Sequence, residues 1–115
     1  MPEVMIHWPN GHSSPCQAGR DWLDRLARFQ KARDLYLRGL IAEASGASHA
    51  TESETAFLES ARLSRDFTSG YAQILARASA QAKSNPNAAR KLLDQLIEIR
   101  PDRPVAKELK ERLGL

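Results

Sequence analysis

The stretch "AARKLLDQLIEIRPDRPVAKELKERL", Ala88 to Leu113, decides the predicted fold. Its first half repeats apolar residues every three or four positions, as one face of an α-helix does. These residues are Ala89, Leu92, Leu93, Leu96 and Ile97. Pro101 ends that helix because its ring clashes with the preceding turn and it lacks an N–H donor. Since a second apolar face begins at Val105, the stretch predicts two amphipathic helices joined by a tight junction.

Helical faces of the same kind precede this stretch. From Asp21 to Gly46 the spacing predicts one long helix or two abutting ones, and further helices follow. Thr51 with Glu54 predicts a capping box, and Asp66 predicts another helix start. Asn85 with Pro86 predicts the start of the helix quoted above. The predicted buried faces comprise Trp22, Leu23, Leu26, Phe29, Ala32, Tyr36, Leu37, Leu40, Ile41, Phe57, Leu58, Ala61, Tyr71, Ile74, Leu75, Ala78, Val105 and Leu109.

Composition supports an all-α fold of one domain. The chain has 115 residues, of which 42% are hydrophobic and 6% aromatic, and Ala and Leu dominate the hydrophobic set. The first residues differ, because "VMIHW" alternates like a short strand and "WPNG" has turn chemistry. We therefore predict an N-terminal arm over 1–19, extended or flexible, and a single all-α domain over 20–115.

The lack of recognisable targeting signals and the single cysteine predict a cytoplasmic protein. No apolar run approaches the roughly 18 residues that a membrane span requires. The N-terminal segment lacks the pattern of a secretory signal, and Cys16 is the single cysteine, so it has no internal disulfide partner.

The helix junctions repeat along the chain. In both "ARLSRDFTSGYAQIL" and "IEIRPDRPVAKEL", a helix ends near a basic residue, an aspartate follows, and a new amphipathic helix begins. Asp66 and Asp102 are the matching points, 36 residues apart. Repeats of this length are typical of stacked helical hairpins.

At these residues the sequence resembles the tetratricopeptide repeat family, over about residues 32–113. Pro101 matches the proline that closes a unit, and Gly39 matches the small residue midway along a first helix. The spacing of 36 departs from the family's roughly 34, and Arg65 stands where a proline is expected. The resemblance implies antiparallel helical hairpins in a TPR-like stack, with a closing C-terminal helix. A plain up-and-down helical bundle is the alternative fold.

The resemblance also implies a concave groove lined by the first helix of each unit. In this sequence the groove residues are Arg33, Tyr36, Leu40 and Glu43 in the first unit and Ser69, Ala72, Ala76 and Ser79 in the second. Small, bland side chains suit an apolar helix or an extended peptide of a partner. We therefore expect a non-catalytic adaptor or chaperone-like module that binds a protein or peptide.

Catalytic and metal chemistry find little support in the sequence. His7, His12 and Cys16 lie close together but match no zinc spacing, and Cys16 has no neighbouring base and acid. Glycine-rich phosphate loops are absent. We expect no enzyme activity, no cofactor and no metal.

Nucleic-acid binding is the alternative function. The net charge is +3, and the helix over 20–38 holds six cations but also Asp21, Asp24 and Asp34. Interspersed charges of this kind favour a solvated helix face, so we expect nucleic acid not to be the partner.

Two repeat units are few for a continuous core, because stacks generally need about three or a cap. The segment Asp21–Phe29 is the predicted cap at the N-terminal end. An uncapped apolar side would favour self-association, so we expect a monomer in equilibrium with a weak homodimer.

Overall fold

A computed structural model describes residues 15–115, and all regular structure in this range is helical. The elements are α1 (Pro15–Ala44), a 3₁₀ turn (Ala47–His49), α2 (Ala50–Leu63), α3 (Ser69–Gln81), α4 (Pro86–Ile99) and α5 (Val105–Arg112). The predicted all-α class is confirmed for these residues. The described part measures 59 × 32 × 13 Å along its principal axes, so it is long and thin.

The first helix is longer than the sequence indicates. α1 begins at Pro15, so residues 15–19 of the predicted arm over 1–19, extended or flexible, belong to a helix instead. A proline suits the first turn of a helix because its φ is already helical and no N–H bond is lost. The strand-like segment predicted over 4–8 lies outside the described residues. Of the two possibilities for 21–46, one long helix is correct.

The junctions on either side of α4 follow the sequence. The Asn85 side chain accepts a hydrogen bond from the Ala88 backbone N–H at 3.2 Å, and Pro86 opens the helix. The helix ends at Ile99, before Pro101, and the next begins directly after Pro104. These predictions are confirmed.

Two other predicted caps are wrong. α2 follows directly from the 3₁₀ turn, and no side chain caps it. Its first backbone N–H, that of Ala50, donates instead to the Ala47 carbonyl oxygen of the turn. α3 begins after Thr68 without a side-chain cap. Asp66 instead pairs with Arg25 on α1.

The core lies between α2, α3 and α4. Its largest fully buried apolar side chains are Phe57, Ile74, Leu93 and Leu96. α1 packs on α2, and Ala32 and Gly39 are buried in that contact. A Cβ atom at Gly39 would lie 2.5 Å from the Phe57 ring, which confirms that glycine permits a close approach there. Val105, predicted to be buried, is 47% exposed because the first turn of α5 faces solvent.

The two matching helix junctions lie against each other. Arg65 donates to Asp102 at 2.5 Å, and Arg103 donates to the Arg65 carbonyl oxygen at 3.1 Å. Arg100 donates to the Ala61 carbonyl oxygen at 2.7 Å, near the C-terminal end of α2. A cation is favourable there because helix C-termini carry unpaired carbonyl groups and partial negative charge. Burial, with repulsion from Arg65 and Arg103, lowers the pKa of Arg100.

Candidate partner-binding surface

The predicted groove residues of α1 lie on the flank that faces α3 and the α2–α3 turn. The Tyr36 ring is half-buried, with centroid distances of 5.6 Å to Phe57 and 5.5 Å to Phe67. Leu40 is also half-buried, whereas Arg33 and Glu43 are exposed. Tyr36 and Leu40 therefore have a structural role in addition to any contact with a partner.

The predicted groove residues of α3 are more exposed. Ala72, Ala76 and Ser79 face solvent, and Ser69 is half-buried. Since Tyr71, Ile74 and Ala78 occupy the buried side of the same helix, the small residues form its outer side. They leave an open and nearly featureless surface, on which a partner's backbone can come close.

Arg77 connects the two helices that carry these residues. From α3 it donates to Ser53 Oγ at 2.6 Å and approaches Glu43 at 3.5 Å and Glu54 at 3.9 Å. Its guanidinium lies 5.3 Å from the centroid of the Phe57 ring. Arg77 is not among the predicted groove residues, although an arginine among the apolar residues of a short helix indicates that its side chain has a partner.

An apolar notch continues the α1 row toward the N-terminus. Trp22, Leu26 and Phe29 line it together with Arg25 and Asp66, and its volume is about 370 Å³. Phe29 packs edge to face on Phe67 with ring centroids 5.3 Å apart. Trp22 is 62% exposed, so the segment predicted to cap the stack does not close its own apolar side.

One wall of the notch is fixed by an ion pair that joins distant parts of the chain. Arg25 Nε and Nη2 donate to the two carboxylate oxygens of Asp66, each at 2.6 Å. This bidentate pair fixes both position and orientation, so it sets the α2–α3 turn against α1. Hydrogen bonding by Arg25 holds the pKa of Asp66 below its ordinary value, against a smaller opposing effect of burial.

We expect the Asp66→Asn substitution to weaken the pH dependence of stability. Because the folded-state pKa is lowered, the carboxylate stabilises the fold above its ordinary pKa, and this contribution disappears as pH falls through the lowered value. The stability difference between wild type and variant should therefore be largest at neutral pH and shrink toward about pH 3. Urea unfolding midpoints measured across this range provide the check. An equal difference at every pH would contradict the assignment.

Basic and acidic residues are mixed on the exposed side of α1. At about 100° per residue, four of its six cations between 20 and 38 fall within an arc of about 80°, and Asp24 lies within the same arc. Arg25 pairs with Asp66, and Arg28 pairs with Asp24 at 3.3 Å. Asp24 interrupts this basic arc, and Asp21 and Asp34 flank it, so the arc differs from the unbroken basic face that nucleic-acid modules present.

Among residues 15–115, no three His, Cys, Asp or Glu side chains come together as a metal site would require. The metal candidates His7 and His12, and the side chain of Cys16, lie outside what the structure describes. None of the helices in this range combines the length and apolarity that crossing a bilayer requires.

Comparisons with known proteins leave the fold and surface as the guides to function. The chain matches no protein-family model, and searches of curated protein sequences and of solved structures gave no significant match. Over residues 15–115 the structure thus shows an all-α fold with an open apolar surface along its longest helix.

Proposed function

We propose that this chain is a small, non-catalytic protein–protein interaction module, an adaptor or chaperone-like protein, that binds a helix or extended peptide of a partner. The observation that supports this function is the apolar notch at Trp22, Leu26 and Phe29, which continues into the predicted groove at Tyr36 and Leu40. Together with Arg33, which lies between Phe29 and Tyr36, these residues follow one another at intervals of three or four along α1. Grooves that receive a helix or a strand commonly present anchors in this way.

The proposed mode of binding is insertion of one apolar side chain into the notch. The rest of the partner segment would lie along α1 and over the small residues Ala72 and Ala76 of α3. Arg33, an exposed groove residue next to the notch, provides a hydrogen-bond donor for a carbonyl or carboxylate group. Apolar burial supplies most of the affinity, and the polar contacts fix the register of the segment.

The finer fold proposal is a TPR-like stack of two hairpins, α1 with α2 and α3 with α4, closed by α5. Contacts between equivalent junctions support it, because Arg65 binds Asp102 and Arg100 binds the end of α2. A stack of repeats places equivalent segments side by side in this way. An up-and-down bundle does not require the two junctions to meet.

A displayed peptide library provides the first test of the groove. Peptides selected on the immobilised full chain should lose at least roughly tenfold in affinity when Ala76→Glu adds a charge to the groove. Thr55→Glu is the matched control, since Thr55 is exposed on α2 outside the predicted groove and its replacement leaves the groove unchanged. If the selected peptides bind both variants equally well, the groove is not the binding site.

Salt dependence separates this function from nucleic-acid binding. An electrostatic complex with a fluorescent single-stranded oligonucleotide would weaken steeply as salt rises. Binding of the selected peptides should change little over the same range. Steep salt dependence with the oligonucleotide, together with an empty peptide selection, would overturn the proposal.

A further inference from the structure

The side of α1 that faces away from α2 carries apolar residues which the rest of residues 15–115 leaves uncovered. Trp22 and Leu23 are each 62% exposed, Leu37 is 47% exposed and Ile41 is 67% exposed. At about 100° per residue, Leu23, Leu37 and Ile41 lie on the opposite side of the helix from the buried Gly39. Single exposed apolar residues are ordinary, but a row of this length on one helix indicates an interaction surface.

Six residues on this side of α1, which we call the seam, have the spacing found where two helices pair. Leu23, Leu26, Gln30, Arg33, Leu37 and Leu40 are separated alternately by three and four residues. That alternation brings all six to one stripe of the helix, as the a and d positions of a heptad do. The stripe is apolar toward both ends and polar in the middle. Its natural occupant is another helix with the same pattern.

We infer that the occupant is a second copy of this chain, with the two α1 helices paired antiparallel. Reversing α1 about the point between Lys31 and Ala32 places Leu23 opposite Leu40 and Leu26 opposite Leu37, while Trp22 and Ile41 lie on the two edges of the seam. Gln30 then faces Arg33. Apolar residues therefore meet apolar residues and polar residues meet polar ones, so the surface is self-complementary, as a two-fold interface requires.

The polar centre selects the antiparallel orientation. In a parallel pair the two copies of Arg33 would face each other at the same level, and two like charges in an apolar seam repel. In the antiparallel pair each Arg33 faces the Gln30 amide of the other copy, whose oxygen accepts hydrogen bonds. The two helix dipoles also point in opposite directions in this arrangement, so the positive end of each helix lies beside the negative end of the other.

The size of the seam indicates a reversible dimer. A 30-residue helix is about 45 Å long and 10 Å wide, which gives a footprint on the order of 500 Å² per copy. Specific interfaces of standard size bury about 800 Å² per partner. An interface of this size lies in the range of weak and transient complexes, so the dimer is expected to dissociate on dilution. This inference needs no ligand and does not rest on the proposed function, but the seam includes Leu26, Arg33 and Leu40 of the proposed peptide surface, so dimerisation would compete with peptide binding.

Sedimentation equilibrium of the full chain, in reducing buffer so that Cys16 forms no disulfide, tests the inference. Wild type should pass from monomer to dimer with rising concentration. Leu37→Glu should weaken the dimer by about 100-fold, because each dimer would bury two additional charges. Val105→Glu is the matched control, since Val105 is also 47% exposed but lies on α5; it should change dimerisation less than about twofold.

Gln30→Glu tests the orientation. In the antiparallel dimer the new carboxylate faces Arg33 of the other copy, so the dimer should strengthen by roughly fivefold. In a parallel dimer the two glutamates would face each other and weaken the dimer. A Gln30→Glu variant that dimerises more weakly than wild type would therefore overturn the inference. It would equally be overturned if wild type stays monomeric at every concentration, or if Leu37→Glu leaves the dimer intact.

Folding of each variant is checked by circular dichroism. Should Leu37→Glu lose helical structure, Leu23→Glu takes its place, since Leu23 also belongs to the seam and is the more exposed of the two. A folded Leu23→Glu variant that dimerises like wild type would also overturn the inference.

Discussion

Phe57→Ala is expected to lower the free energy of unfolding by about 4 kcal/mol, the largest effect of any single substitution considered. Phe57 is fully buried at the centre of α2. Removing its ring takes away the apolar burial and leaves a cavity that rigid neighbours do not fill. Domains of this size are stable by only about 5–15 kcal/mol, so the variant should be partly unfolded at moderate temperature.

The size of this effect follows from the number of elements that meet at one ring. Tyr36 of α1 packs at 5.6 Å between centroids, and the Arg77 guanidinium of α3 lies at 5.3 Å. The Gly39 backbone closes the remaining side. Loss of the ring therefore loosens α1 and α3 from α2 together.

Urea unfolding followed by circular dichroism gives the measurement. Phe57→Leu keeps most of the apolar volume and should lose clearly less than the alanine variant. Val105→Ala removes apolar atoms at an exposed site and should change stability by less than about 0.5 kcal/mol. If Phe57→Ala loses no more than Val105→Ala, Phe57 does not organise the core.

The positions of the helices could largely be predicted from the sequence because their signals are local. Apolar spacing locates α2, α3 and α4, and Asn85 with Pro86 marks the start of α4 through chemistry confined to four residues. The start of α1 was missed because proline and serine near residue 15 suggested a loop. The same proline is also suited to a first helical turn.

The side on which an apolar residue lies could not be predicted from spacing alone. Leu23, Leu37 and Ile41 were assigned to a buried face together with Tyr36 and Leu40. α1 carries apolar residues around a wide arc, and α2 covers one part of that arc while another part remains exposed. Only the packing of α2 decides which part is covered.

The candidate surface was predictable in part. The resemblance to a known family predicts that residues on α1 and α3 line a groove. Of these residues, Ala72 and Ala76 on α3 are exposed to solvent. The notch was not predictable, because it forms where residues 41 positions apart, Arg25 and Asp66, come together. An aspartate just before a helix satisfies the local rule for a cap equally well, so local rules could not assign it to Arg25.

Gly70→Ala is expected to lower the free energy of unfolding by about 3 kcal/mol, although alanine favours a helix over glycine. An added Cβ would lie 2.7 Å from the Phe57 carbonyl oxygen and 3.0 Å from Ser60 Cβ. Neither atom can move aside. The carbonyl belongs to the α2 backbone, and Ser60 Oγ is held by a 2.7 Å hydrogen bond to the Ala32 carbonyl oxygen of α1. The whole of α3 must therefore shift away from α2.

Gly19→Ala is the matched control for Gly70→Ala. Gly19 also lies within a helix, but nothing lies within 4 Å of an added Cβ there. Only the backbone preference remains, so this variant should gain about 0.5–1 kcal/mol. Opposite signs for the same chemical change, measured by urea unfolding, would show that contact between α2 and α3 requires glycine at position 70. If both variants gain stability, α3 does not approach α2 as closely as the structure shows.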